Sequence, residues 1–417
     1  MPRILRFTTL LVVLAASPLA LADPAGDPAS GGQDFIAEAR LLYRAVACGT
    51  GDRPAPAGQD AGVASVVASH CKEQTRRIAK FRKSYITRAE PFFATLIPAG
   101  LPGSVVYPFG GGDLLAALVT YPGATEYTTI SLEHAGDPRR LGKLDSTALQ
   151  QSLAYFREAS ALYVKNNDHR SENLRKLERG AIPGQLAFFL MALAVYDYEP
   201  VALRYFRIED DGSLHYYSSD EIAKLDDTVA QKKSRRWVDT DHSIAFSNME
   251  LSFRKRGQPG APVRIHRHIA GNLDDEHFSG SGLQKHLASK GKIAAMTKAA
   301  SYLLWSSSFS AIRTYLLDNM VFMVSDSTGV PPRLARAAGF EQKTYGSYAG
   351  AFFEENRESR PDQDFVALWQ AQPRRRLPFR YGYVDSVNNP HLLVTLPRTA
   401  TGKTTTGKAT TSQTATP

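Results

Sequence analysis

The sequence predicts an α+β protein: a mixed or antiparallel sheet of hairpins packed by helices, preceded by a disulfide-stapled helical hairpin. Three observations carry this. Two stretches read as β-hairpins around Gly-containing turns. Other segments repeat apolar residues at helical spacing. Hairpins and helices are interspersed, without the regular strand–helix alternation of an all-parallel sheet. The 417 residues are 43% hydrophobic and 22% charged. That is ordinary globular composition, which excludes a wholly disordered, collagen-like or multispan membrane chain.

The elements follow in order. Arg3 and Arg6 precede an apolar run from Phe7 to Leu19, and Ala20-Leu21-Ala22 is a small-x-small cleavage site. Residues 1–22 therefore read as a signal peptide, cut near Ala22, and residues 23–33 as a Gly/Pro-rich flexible leader. Removing the signal takes away two arginines and no acid, and the mature chain carries no transmembrane span. Phe35, Ile36, Ala39, Leu42, Tyr43 and Val46 predict a helix over 34–47. Val63 to Tyr85 predicts a second, with Lys72, Arg76, Arg77, Lys80, Arg82 and Lys83 on its outer side. Cys48 and Cys71 are the two cysteines, and an even count in an exported chain reads as one disulfide joining these helices. Residues 34–96 form this helical hairpin, and Pro98–Gly103 marks a boundary.

Residues 100–397 form the α+β domain. Val105-Val106-Tyr107 is a strand, Phe109-Gly110-Gly111-Gly112 a turn, and Asp113 caps a helix from Leu114 to Val119. Tyr127–Leu132 is another strand, and Leu149, Leu153, Phe156 and Leu162 mark a helix. Leu186–Tyr196 is apolar on all sides but too short to span a membrane, so it is a buried core helix. Val201–Ile208 pairs with Leu214–Tyr217, and Phe246–Phe253 with Val263–Ile269. Helices are expected at 283–288, 293–305, 309–324 and 362–370, and Tyr381–Leu396 is strand-rich. Residues 398–417 are a Thr-rich tail with no core-forming pattern.

The formal charge is +9, from 50 Lys+Arg against 41 Asp+Glu. A diffuse excess of this size suits anionic envelope components or a small-molecule ligand better than specific nucleic-acid binding, which calls for a concentrated basic stripe.

Three places hold candidate chemistry. In Arg264-Ile265-His266-Arg267-His268 the two histidines share a strand face. If Met249, Leu251 and Phe253 turn to the core, Glu250 falls beside His266 and His268, and two imidazoles with a carboxylate can hold a metal. Asp274, Asp275 and His277 follow nearby. The competing reading is a solvated hairpin face. Second, the Phe109–Asp113 turn exposes backbone N–H groups, as in anion sites, but lacks GxGxxG or GK[ST] spacing, and Asp113 would repel a phosphate. Its plain reading is a capped turn. Third, Asp326, Ser327 and Thr328 lie in Ser325–Pro331, a turn that can line a cleft. No GxSxG, HExxH or trustworthy SxxK motif is present, and the motifs leave any cofactor unassigned.

Taken together, Tyr107-Pro108-Phe109-Gly110-x-x-Asp113, Leu132-Glu133, Ser325–Pro331, Tyr345-Gly346-x-Tyr348-x-Gly350 and Leu377-Pro378-Phe379-x-Tyr381-Gly382-Tyr383 resemble motifs of a set of uncharacterised exported bacterial proteins. The resemblance spans roughly residues 100 to 396. It implies export and one continuous domain, and brings no activity or catalytic residue with it. The reading that follows is an exported, periplasmic or extracellular, envelope-associated ligand-binding protein. Its site would lie between the Phe109–Asp113 turn and the Ser325–Pro331 loop. The alternative is a metal-dependent hydrolase using His266, His268 and Glu250.

Overall fold

A computed structural model of the protein describes residues 32–49, 61–166, 181–229, 243–350, 359–382 and 389–398. The expected signal peptide, nearly all of the expected leader and the expected tail beyond Arg398 lie outside these residues.

A ten-stranded mixed sheet organises the chain. Its strands are β1 (Ser104–Pro108), β2 (Glu126–Ser131), β3 (Tyr198–Ile208), β4 (Leu214–Tyr216), β5 (Asn248–Lys255), β6 (Arg264–Ala270), β7 (Ile293–Met296), β8 (Met320–Ser325), β9 (Phe340–Gly346) and β10 (His391–Pro397). Their order is β4-β3-β5-β6-β2-β1-β7-β8-β10-β9. The five central strands, β6-β2-β1-β7-β8, are parallel. Antiparallel pairs flank them: β3, β4 and β5 beyond β6, and β10 with β9 beyond β8. Both predicted hairpins form.

The parallel centre corrects two expectations. Residues 293–305 and 309–324, expected as helices, each contain a strand: β7 followed by a short 3-10 turn, and β8 preceded by the helix Ser310–Asn319. Every residue of β7 is buried, and all but one of β8. A strand covered on both faces loses the alternation that marks a half-buried one, and a short apolar run then reads equally as helix. β9 was not expected at all. Of the strand-rich 381–396 region only β10 is a described strand, and residues 383–388 lie outside the described residues.

Alternate residues feed two cores. Val105, Tyr107, Tyr127, Met296 and Val324 face one, where Leu114–Val119 and the helix Gly184–Val195, apolar from Leu186 on, cover the sheet. Val106, Ile130, Ala295 and Met323 face the other, against Ile312, Tyr315 and Leu316. The N-terminal helices join the first core through Phe35, Leu42, Phe81 and Phe93, so the helical segment and the sheet share one apolar interior. Each buried Leu or Phe contributes about 1.5–3 kcal/mol. Cys48 and Cys71 form the expected disulfide, with Cα atoms 5.4 Å apart.

Candidate functional site

The sheet topology decides where a site belongs. β1 has β2 on one side and β7 on the other. The helix after β1 packs in the first core, whereas the helix between β7 and β8 packs in the second. Crossovers that leave for opposite faces open a crevice outside the carboxyl ends of the strands, the usual ligand position in doubly wound sheets. The segments leaving β1, β7 and β8 are Phe109–Asp113, Thr297–Ala299 and Asp326–Thr328.

At the end of β1 the chain turns sharply. Phe109 has φ 60°, and a Cβ on Gly110 would lie 2.7 Å from Tyr107 Cγ, so this position needs glycine. Asp113 caps the following helix by accepting from Ala116 N at 3.3 Å. Its other oxygen accepts from the Tyr107 hydroxyl at 3.1 Å and from Lys298 Nζ at 3.3 Å. Asp113 and Lys298 are 2% and 4% exposed, so the pair is buried on both sides.

Lys298 is followed by Ala299 at φ 61°, a left-handed conformation that costs a non-glycine residue of order 1 kcal/mol. This conformation aims Ala299 N at Asp326 Oδ2, at 3.1 Å. Asp326 Oδ1 in turn accepts from Thr328 N at 2.8 Å and from Thr328 Oγ1 at 2.5 Å. Asp113 and Asp326, named from the sequence as two ends of one site, are thus joined through Lys298-Ala299. Burial, with Asp113 and Asp326 nearby, pushes the Tyr107 phenol well above its ordinary value. The Tyr381 phenol is raised in the same way. Its ring lies 5.6 Å from Lys298 Nζ.

Three buried hydroxyls around this cluster lack a hydrogen-bond partner among the described residues: those of Thr297, Ser325 and Tyr381. Buried polar groups are nearly always paired, so these hydroxyls are available to hydrogen-bond a bound polar molecule or water. Ser325 and Leu393 are register partners in β8 and β10, so Ser325 and His391 face the same way. A Cβ on Gly329 would meet Ser325 Oγ at 2.5 Å and Thr297 Oγ1 at 3.4 Å, which brings those two hydroxyls together.

On that face Ser327 Oγ lies 3.0 Å from His391 Nε2. The other ring nitrogen, Nδ1, lies 2.9 Å from the carbonyl oxygen of Asn389. A carbonyl only accepts, so Nδ1 carries the proton and Nε2 is left as an acceptor for the serine hydroxyl. Tyr348 and Trp369 flank the imidazole, with ring centroids at 5.0 and 5.9 Å. Gly382, at φ 71°, lies against its edge, where a Cβ would come within 2.7 Å of Nε2. Tyr348 donates to Asp362 Oδ1 at 2.5 Å.

The structure does not assemble the histidine–glutamate set. In the β5–β6 register His266 faces Leu251 and His268 faces Met249, while Glu250 faces Arg267. The apolar residues share a face with the histidines because helices cover this part of the sheet too. His266 and His268 are wholly buried against Phe189, with ring centroids at 4.3 and 5.2 Å, and both bond Thr129 Oγ1. Glu250 points to the other face, where it bonds Arg204 at 2.6 Å, Arg267 at 2.8 Å and Tyr216 at 2.5 Å. Asp274 caps its own short helix through His277 N, and Asp275 caps the helix Ser310–Asn319 through Ala311 N at 2.7 Å. These are structural roles.

His70 lies close to both sulfurs, with all three ligand atoms within 4.8 Å of one another. The sulfurs are consumed in the disulfide, and the His70 nitrogens are engaged by the Val46 carbonyl and Arg157. Burial lowers its pKa to about 4.

No protein family, curated protein or solved structure matches the chain. Sequence reasoning missed Lys298 and His391, since neither stands in a recognised motif. Tyr107, Gly346, Tyr348, Tyr381 and Gly382 appeared only as parts of the quoted strings, and the fold gathers those strings around this one place.

Proposed function

We propose that this protein is exported and binds a small polar ligand at the crevice between the ends of β1 and β7. The observation that carries the reading is the buried Asp113–Lys298 pair beside Asp326, with the nearby Thr297, Ser325 and Tyr381 hydroxyls having no hydrogen-bond partner among the described residues. The carboxylates of Asp113 and Asp326 and the surrounding hydroxyls suit a solute rich in hydroxyl or amine groups better than a phosphate. The leader-like sequence and the disulfide support an oxidising compartment outside the cytosol. Among the described residues no helix is long and apolar enough to cross a membrane. Lys72, Arg76, Lys80 and Lys83 are exposed along the second N-terminal helix, which suits contact with anionic envelope components.

The test is equilibrium dialysis of the purified protein against a cellular small-molecule extract, read by mass spectrometry. The reading expects a polar solute enriched by the native protein and lost with Asp326→Asn. Enrichment of nothing, or of a solute indifferent to that change, would refute it.

A further inference from the structure

We propose that Ser327 and His391 form a nucleophile–base pair that acts on a carboxylic ester bound in this crevice. The inference rests on the crevice being the ligand site. It goes beyond binding, because the pair has the geometry of an activated nucleophile: a serine hydroxyl within hydrogen-bond reach of an imidazole whose other nitrogen is oriented by a third group.

Each part is present. Ser327 Oγ and His391 Nε2 are 3.0 Å apart, and the Asn389 carbonyl at 2.9 Å from Nδ1 fixes the tautomer in which Nε2 accepts. Gly382 permits the imidazole to sit where it does, since any side chain there would strike the ring. Ser327 follows β8 and His391 opens the antiparallel β10 beside it, close to the unpaired hydroxyls of Ser325 and Thr297. Ser325 faces the same way as His391, and its hydroxyl together with that of Thr297 supplies donors suited to a developing oxyanion. The Tyr348 hydroxyl, bonded to Asp362, also reaches Ser327 and competes for its proton in the resting protein.

In the first step Ser327 Oγ bonds to the ester carbonyl carbon while its proton passes to His391 Nε2. The carbon–oxygen bond to the alcohol then breaks, and the departing alkoxide takes that proton. Water attacks the acyl-serine, gives a proton to His391 and releases the carboxylic acid, and the proton returns to Ser327.

The test is exposure of the folded native protein to an alkyl fluorophosphonate, followed by intact mass and peptide mapping. The proposal expects one adduct, on Ser327, absent in Ser327→Ala. It expects labelling slowed at least tenfold in His391→Asn, and equal or faster labelling in Tyr348→Phe. No adduct on native Ser327 under conditions that label a serine esterase overturns the proposal without relying on any variant. So does labelling indifferent to His391→Asn. Dialysis of the native protein separates the two readings: retained solute with no adduct on Ser327 removes only the nucleophile, and no retained solute removes the site.

Discussion

Lys298 Nζ reaches from the end of β7 to the Asp113 carboxylate at the end of β1, 3.3 Å away, with both side chains buried. That ion pair closes the gap between the two strands from which the sheet grows outward in both directions.

Removing one member of a buried pair strands the other charge. Lys298→Met should therefore lower stability by about 3–5 kcal/mol, and the double change Asp113→Asn with Lys298→Met by clearly less. Urea unfolding of the two variants measures the difference. Equal losses would show that the pair is not coupled.

Stability should depend on pH in two windows. Burial lowers the pKa values of His70 and His286 from 6.5 to about 4. The folded state therefore favours neutral imidazole, and this stabilisation is complete above about pH 6.5 and is lost as pH falls toward 4. Burial alone would raise Glu126, but Lys290 and Arg267 overcome it and hold the carboxyl at about 2, against an ordinary 4.5. Its contribution is present above 4.5 and lost between 4.5 and 2. Urea midpoints across pH should fall through both windows, with His286→Gln flattening the upper and Glu126→Gln the lower. A profile unchanged by both substitutions contradicts this assignment.

The disulfide bridges a sequence separation of 23. Reduction, or the double change of Cys48 and Cys71 to serine, should cost about 3 kcal/mol in the denaturation midpoint analysis. A loss below about 1 kcal/mol would mean that the unfolded chain is held close there by other means.

Thr129 bridges two buried histidines. His268 Nε2 lies 2.8 Å from the Glu133 carbonyl, so it donates, and the threonine hydroxyl donates to His268 Nδ1 and accepts from His266 Nε2. Long-range nitrogen–proton correlation spectra should show both rings protonated at Nε2. Thr129→Val should cost about 2–4 kcal/mol by leaving buried ring nitrogens unpaired. A δ tautomer at either ring breaks the chain as drawn.

The sequence made β1, β2 and both hairpins legible and hid β7, β8 and the edge strand β9. The β3–β4 and β5–β6 hairpins carry turn residues and partial alternation, and Asp113 announces its helix by its capping position. β7 and β8 carry neither signal, because helices bury them on both faces. With those strands hidden, so was the parallel order that makes the end of β1 a crevice and brings Lys298 to Asp113. The His266–His268 pair was misread for the same reason: alternation in a sheet covered on both sides does not separate core from solvent. Asp113 and Asp326 were found because loops at strand ends attract polar residues, whereas His391 meets Ser327 only through long-range pairing of β10 with β8.

The most direct measurement is amide hydrogen exchange of the native protein with and without the solute retained in dialysis. The account predicts slowed exchange confined to residues 109–113, 297–301 and 325–330, abolished by Lys298→Met. Protection elsewhere, such as along the basic N-terminal helix, with these three segments unchanged, would contradict it.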